Sequence, residues 1–198
     1  VAHAAGAGKP ENDRLTATKR NMQARHLQHW PKHIPWHLTV PETTLCANLE
    51  ISARRFPGKT ATVFYDGRLT WRELDRQVGL MAGFLQNRCG VRKGDRVVLQ
   101  MQNSPQFIIA YYAVLRADAV ILPVSPMHVT DELVHYFEDA RASTLITAQD
   151  LYAQARPLLG GLVKHAIVAT YSDYIASDSP MDVPAFVKAP RAALNDPG

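Results

Sequence analysis

Three features of this 198-residue sequence predict an α/β fold, a largely parallel sheet flanked by helices and preceded by an extended N-terminal strap. Between residues 96 and 170, strand-like and helix-like stretches alternate, and parallel neighbours need crossovers that helices usually supply. The strand stretch AVILPVS (119–125) is apolar on successive rather than alternate residues, the pattern of a parallel sheet covered on both faces. The helical stretches carry caps and stops, so each element has a boundary as well as a period.

Residues 1–24, rich in Ala, Gly, Lys and Asn without apolar periodicity, read as a flexible tail. Residues 25–42 differ. Pro31, Pro35 and Pro41 forbid a long helix there, whereas Trp30, Ile34, Trp36, Leu38 and Val40 are too apolar for a free linker. The expected form is an extended strap on the surface of a globule. Residues 43–170 read as the α/β subdomain itself.

From Thr43 a helix is expected, with Leu45, Leu49, Ala53 and Phe56 on one face and a stop at Pro57-Gly58. TATVFYDGRLTW (60–71) reads as a hairpin turning at Asp66-Gly67, a pair that takes up positive φ readily. The Thr70 hydroxyl is placed to cap the next helix, and Glu73 to reach back to the Thr70 amide. Leu74, Val78, Met81 and Leu85 form that helix's stripe, and Gly90 is its left-handed stop. RVVLQM (96–101) is a strand. The helix of residues 103–117 follows, capped by Asn103 or Ser104 with Pro105 near its first position. AVILPVS (119–125) is the next strand, and Thr130 caps a further helix with Asp131 and Glu132 in its first turn. STLIT (143–147) and HAIVAT (165–170) are short buried strands around the helix-like stretch 148–159. Residues 171–198, punctuated by proline and without a closing strand, read as a connection to further polypeptide.

Charge and composition narrow the function. The net charge of +4 comes from residues 1–40, which carry six Lys or Arg against two acids, while the remaining residues carry sixteen of each sign. A solvated arm accounts for that excess, and nucleic-acid binding is not expected. No apolar run approaches the ~20 residues needed to cross a bilayer, and no secretory segment opens the sequence, so the expected location is the cytoplasm. Cys46 and Cys89 lack a partner motif and read as small core residues.

Each stretch with chemical promise has a plainer account. GAGKP (6–10) lacks the Gly at position 3 and the hydroxyl at position 10 that a phosphate loop requires. His26, His29, His33 and His37 are densely spaced, but Pro31 and Pro35 break the helix that would gather them around a metal. His135, near Glu132, Glu138 and Asp139, reads as a salt-bridged surface histidine. The residues therefore offer no catalytic, cofactor-binding or metal site.

Two phrases, GRLTWRELDRQV (67–78) and LRADAVILPVSPMHVTDELVHYFEDARASTLIT (115–147), resemble in order and spacing the N-terminal part of the adenylate-forming acyl-CoA synthetases. NLEISARRFPGKTATVFYDG and KGDRVVLQMQNSPQFIIAYYAVLRADAV extend the likeness from about Trp30 to about Thr170. The resemblance implies an AMP-forming ligase of the long-chain fatty acid type that uses ATP, Mg²⁺ and coenzyme A. In such enzymes a carboxylate attacks the α-phosphorus of ATP and expels pyrophosphate, and the coenzyme A thiol then displaces AMP from the acyl-adenylate. It also implies that the family's phosphate loop, ribose-binding aspartate and lid lysine lie beyond Gly198. These residues would then be scaffold, inert alone, whose partners are the rest of their own polypeptide and a small carboxylate substrate. Peripheral membrane contact and self-association stay open. One departure stands out: Ala117-Asp118 occupies a place where the family usually has Ala-Gly. A second reading, a stand-alone flavodoxin-like binding or scaffold domain, also stays open.

Overall fold

The structure is a computed structural model that describes residue 27 and residues 29–35, 39–176 and 179–193. The chain divides into two units, Val1–Glu42 and Thr43–Gly198. Within the first, residues 29–35 are locally turned, with the Ile34 amide donating to the Pro31 carbonyl at 3.0 Å and Trp30 Nε1 to the Ile34 carbonyl at 3.0 Å. His29 and His33 are exposed in this turn, while residues 6–10, His26 and His37 lie outside the described residues.

The second unit is α/β, as expected. Helix α1 (Leu45–Arg55) is capped by the Thr44 hydroxyl, which accepts from the Ala47 amide at 3.2 Å. Its buried face is Cys46, Leu49 and Ala53; Leu45 and Phe56 are exposed, contrary to the predicted stripe. Phe56 is instead held at the surface by cations, with Lys59 Nζ 4.7 Å and the Arg55 guanidinium 5.3 Å from its ring centre.

Strands β1 (Thr60–Phe64) and β2 (Gly67–Thr70) form the antiparallel hairpin. The loop is Tyr65-Asp66 rather than Asp66-Gly67, and Tyr65 carries the left-handed backbone, at φ 54°. Helix α2 (Trp71–Asn87) has both halves of the expected capping box: the Thr70 hydroxyl accepts from the Glu73 amide at 3.3 Å, and Glu73 Oε2 accepts from the Thr70 amide at 2.8 Å. Gly90, at φ 66°, ends the turn that follows.

Strands β3 (Arg96–Gln100), β4 (Val120–Val124), β5 (Thr144–Ala148) and β6 (His165–Ala169) form an all-parallel sheet in the order β4-β3-β5-β6. Helix α3 (Pro105–Arg116), capped by Ser104, joins β3 to β4, and α4 (Thr130–Ala140) carries the chain back across β3 to β5. Between β5 and β6, residues 149–158 break into two 3₁₀ turns around the four-residue helix α5 (Tyr152–Ala155), consistent with Pro157 ending regular helix. Two expectations need correction here. Strand β6, at one edge of the sheet, is only partly covered and not buried as expected. Strand β4, at the other edge, has both faces packed as expected, Ile121 on the side of Val97 and Leu99, and Leu122 and Val124 on the side of Val98 and Leu145. Thr130 is the first helical residue and not the cap, because the cap position falls on Val129 and only the Glu132 half of the box forms.

The sheet separates two cores. Val97, Leu99 and Ile146 pack with α2 and α3, whereas Val98 and Leu145 pack with Leu133 and Phe137 of α4. Each fully buried side chain of this kind contributes roughly 1.5–3 kcal/mol. The segment after β6 also enters the first core: Tyr171, Val183 and Val187 are buried in it, the last from the short helix α6 (Ala185–Lys188).

Candidate functional site

In an open parallel sheet, the crossovers on opposite faces leave a crevice at the carboxyl ends of the strands where the order reverses. Here that point lies between β3 and β5, and the residues facing each other across it are Gln100 and Thr147. Both are completely buried. Strand alternation turns them to the same face as Val98 and Leu145, toward α4.

Gln100 Nε2 donates to the His128 carbonyl at 3.3 Å, whereas Gln100 Oε1 and Thr147 Oγ1 have no hydrogen-bond partner. His128 stands in the β4–α4 loop. Its Nδ1 is 3.0 Å from Glu132 Oε2, and its Nε2 is 3.3 Å from the Tyr136 hydroxyl. The Val129 amide, and next the His128 ring, hold the Glu132 carboxyl below its ordinary pKa. Thr130 Oγ1 donates to the Gln154 carbonyl at 2.9 Å, tying the same loop to α5.

On the other face, the Tyr171 hydroxyl accepts from the Gln102 amide at 2.8 Å, and burial pushes the Tyr171 phenol up to about 12. A cleft of about 210 Å³ opens beside it, walled by Phe64, Tyr65 and Phe186 and floored by Gln102 and Asn103. Gln149 binds the last described stretch, donating to the Pro190 carbonyl at 2.9 Å and accepting from the Ala192 amide at 2.8 Å.

These groups are carboxamides, hydroxyls, main-chain amides, one imidazole and a single carboxylate, Glu132, which the Val129 amide and the His128 ring already engage. They do not fit a triphosphate and its divalent metal, which call for converging cations or carboxylates. Among the described residues no three His, Cys, Asp or Glu side chains come together around a metal position. Burial raises both thiols, Cys46 and Cys89, which makes them poor nucleophiles.

His135 is exposed, and Glu132, expected beside it, pairs with His128 instead. The loop leading into α4 brings His128 back over the carboxylate that also caps the helix. His128 and Tyr136 were missed as a pair, although His128, Glu132 and Tyr136 stand four residues apart in turn, a spacing that lines up one helix face.

The family model described as "AMP-binding enzyme" matches residues 49–195. The chain belongs to the AMP-binding enzyme family. A long-chain-fatty-acid–CoA ligase of Bacillus subtilis is 35% identical over 150 residues, covering 75% of this chain and 27% of that protein. Among solved structures, a long-chain-fatty-acid-CoA ligase of Archaeoglobus fulgidus superposes with a TM-score of 0.59 at 27% identity, over 67% of this chain and 28% of that one. The N-terminal subdomain of Klebsiella oxytoca NpsA gives 0.52 at 27% identity, over 63% and 31%. This AMP-binding family member thus spans about a quarter of the length of the curated relatives it matches. No helix among its described residues is long and apolar enough to cross a membrane.

Proposed function

We propose that these residues are the N-terminal scaffold of an ATP-dependent ligase that activates a fatty acid as its acyl-adenylate and passes it to coenzyme A. The 35% identity to the Bacillus subtilis long-chain-fatty-acid–CoA ligase, across three quarters of this chain, carries the reading. ATP, Mg²⁺ and coenzyme A belong to the whole enzyme. The residues described here build a wall: α2 and α3 pack one face of the sheet, α4 the other, and the segment after β6 seals the first core. They supply no group that would steady charge on a phosphoryl oxygen, so the chain alone is inert.

The test is carboxylate-dependent exchange of pyrophosphate into ATP. The longer protein containing these residues exchanges with fatty acids, and the 198-residue chain does not. Exchange by the chain alone would overturn the scaffold reading. A reading frame without a glycine-rich hydroxyl loop after these residues would favour the stand-alone binding domain.

A further inference from the structure

The cleft beside Tyr171 draws aromatic walls from separate parts of the chain: Phe64 and Tyr65 from the end of β1 and its loop, Tyr171 after β6, and Phe186 from α6. The rings stand at steep angles instead of stacking. Tyr65 meets Phe64 edge to face, with centres 4.9 Å apart and planes at 78°, and Phe186 meets Tyr171 in the same way, at 6.1 Å and 82°. An edge-to-face contact covers one face of one ring, so each pair keeps faces for another partner. Phe64 and Tyr65 are half-buried, Phe186 is 46% exposed, and only Tyr171 is closed off behind them. The floor, Gln102 and Asn103, is exposed and uncharged.

Charge decides what such a cleft prefers. The face of an aromatic ring is negative, so it attracts a cation and repels an anion. Among the described residues no Lys or Arg lines the cleft. Negative charge already acts on one wall, since burial first and then the Asp150 carboxylate raise the Tyr171 phenol. A bare ammonium is strongly hydrated and would lose its water on entering, whereas an alkylated one presents its charge on methyl groups that pack against rings. The volume of about 210 Å³ exceeds that of a cavity of roughly 150 Å³ known to take benzene, so about seven heavy atoms can enter. The backbone adds an independent sign. Tyr65 stands at φ 54°, where a bulky residue is uncommon and Gly, Asn or Asp would close the hairpin with less strain. The turn does not call for a ring at that position, but the cleft wall does. We propose that this cleft is a binding site for a small quaternary ammonium ion, held against the rings of Phe64, Tyr65 and Phe186.

The test is titration of the 198-residue chain, at constant ionic strength, with choline and separately with 3,3-dimethylbutanol, its isostere with a neutral carbon in place of the nitrogen. The methyl protons of each ligand report binding, because ring faces shift them upfield. Choline is expected to bind about five- to tenfold more tightly than the alcohol, the yield of cation–π attraction at a partly exposed site. Phe186→Leu keeps an apolar wall without a π face and should erase most of that preference. Tyr65→Asn suits the left-handed backbone, so it should weaken choline binding while leaving the thermal midpoint unchanged or raised. An undiminished preference for choline in both variants would overturn the proposal. So would equal binding of the two ligands by the unaltered chain, or no upfield shift with choline. That comparison needs no variant, so it decides the matter even if a substitution prevents folding.

Discussion

Gly67 lies so close beneath the backbone of Tyr174 that a Cβ added to it would overlap the Tyr174 carbonyl oxygen and come within 2.8 Å of its carbonyl carbon. The glycine is needed for this approach and not for the hairpin turn, because the positive φ belongs to Tyr65. Gly67→Ala should therefore lift the 171–175 segment off the hairpin, at a cost of about 1–3 kcal/mol in urea denaturation. Faster amide exchange at Ala176, which donates to Asp66 Oδ1 at 3.3 Å, would localise the effect. Unchanged stability would show that the segment yields freely.

Asp118 ends α3 in the left-handed region, at φ 58°, with its side chain in solvent. The Gly94 amide donates to its carbonyl at 2.9 Å, so the conformation is fixed by the β3 approach. Asp118→Gly removes a steric penalty and should raise stability by about 0.5–1 kcal/mol, read from the shift in denaturation midpoint.

Thr147 is wholly buried with an unpaired hydroxyl. Val has nearly its shape and no polar atom, so Thr147→Val should stabilise the fold by about 1 kcal/mol. A loss of similar size would mean that the hydroxyl has a partner in solution.

The capping box links stability to acid. Glu73 is held below its ordinary pKa first by the Thr70 amide and next by the Thr70 hydroxyl. A depressed folded pKa gives stability that is present above the unfolded value of 4.5 and lost as pH falls through the folded one. Thr70→Ala should cost about 1 kcal/mol at pH 7. Glu73→Gln should flatten the acid limb of a midpoint-versus-pH curve below pH 4.5, though Glu132 keeps part of it.

Tyr171 gives the opposite limb. Its phenol, raised from 10 to about 12 by burial, contributes stability that is complete below pH 10 and lost as pH rises toward 12. Tyr171→Phe strands the Gln102 amide, costing roughly 1–2 kcal/mol at pH 7, but should lose stability less steeply between pH 10 and 12. Equal alkaline slopes would assign that limb to Tyr174, also raised chiefly by burial.

Much of the fold is legible locally. Thr70 and Glu73 interact over three residues, Ser104 caps with Pro105 behind it, and Gly90 turns left-handed, all within one helical turn of chain. The misses come from longer range. Phe56 continues the apolar period of α1, yet two cations take it at the surface. HAIVAT reads as a buried strand, but no residue of the run says that it stands at the edge of the sheet, where β6 is only partly covered.

The candidate site was almost invisible for the same reason. Gln100 and Thr147 are ordinary polar residues at the ends of apolar strands, 47 positions apart, and only strand order makes them neighbours. Gln106 and Thr170 meet across 64 positions.

By itself, the sequence determined the class of fold, most helix ends and the family, because periodicity and capping act between residues a few bonds apart and the family's phrases survive in order. Tertiary structure alone decided which strand is an edge, where the sheet reverses, which glycine must be bare and which buried amide lacks a donor. Those depend on what packs against what, and burial converts a side chain's hydrogen-bonding capacity from a neutral property into a free-energy cost only after distant segments have closed over it.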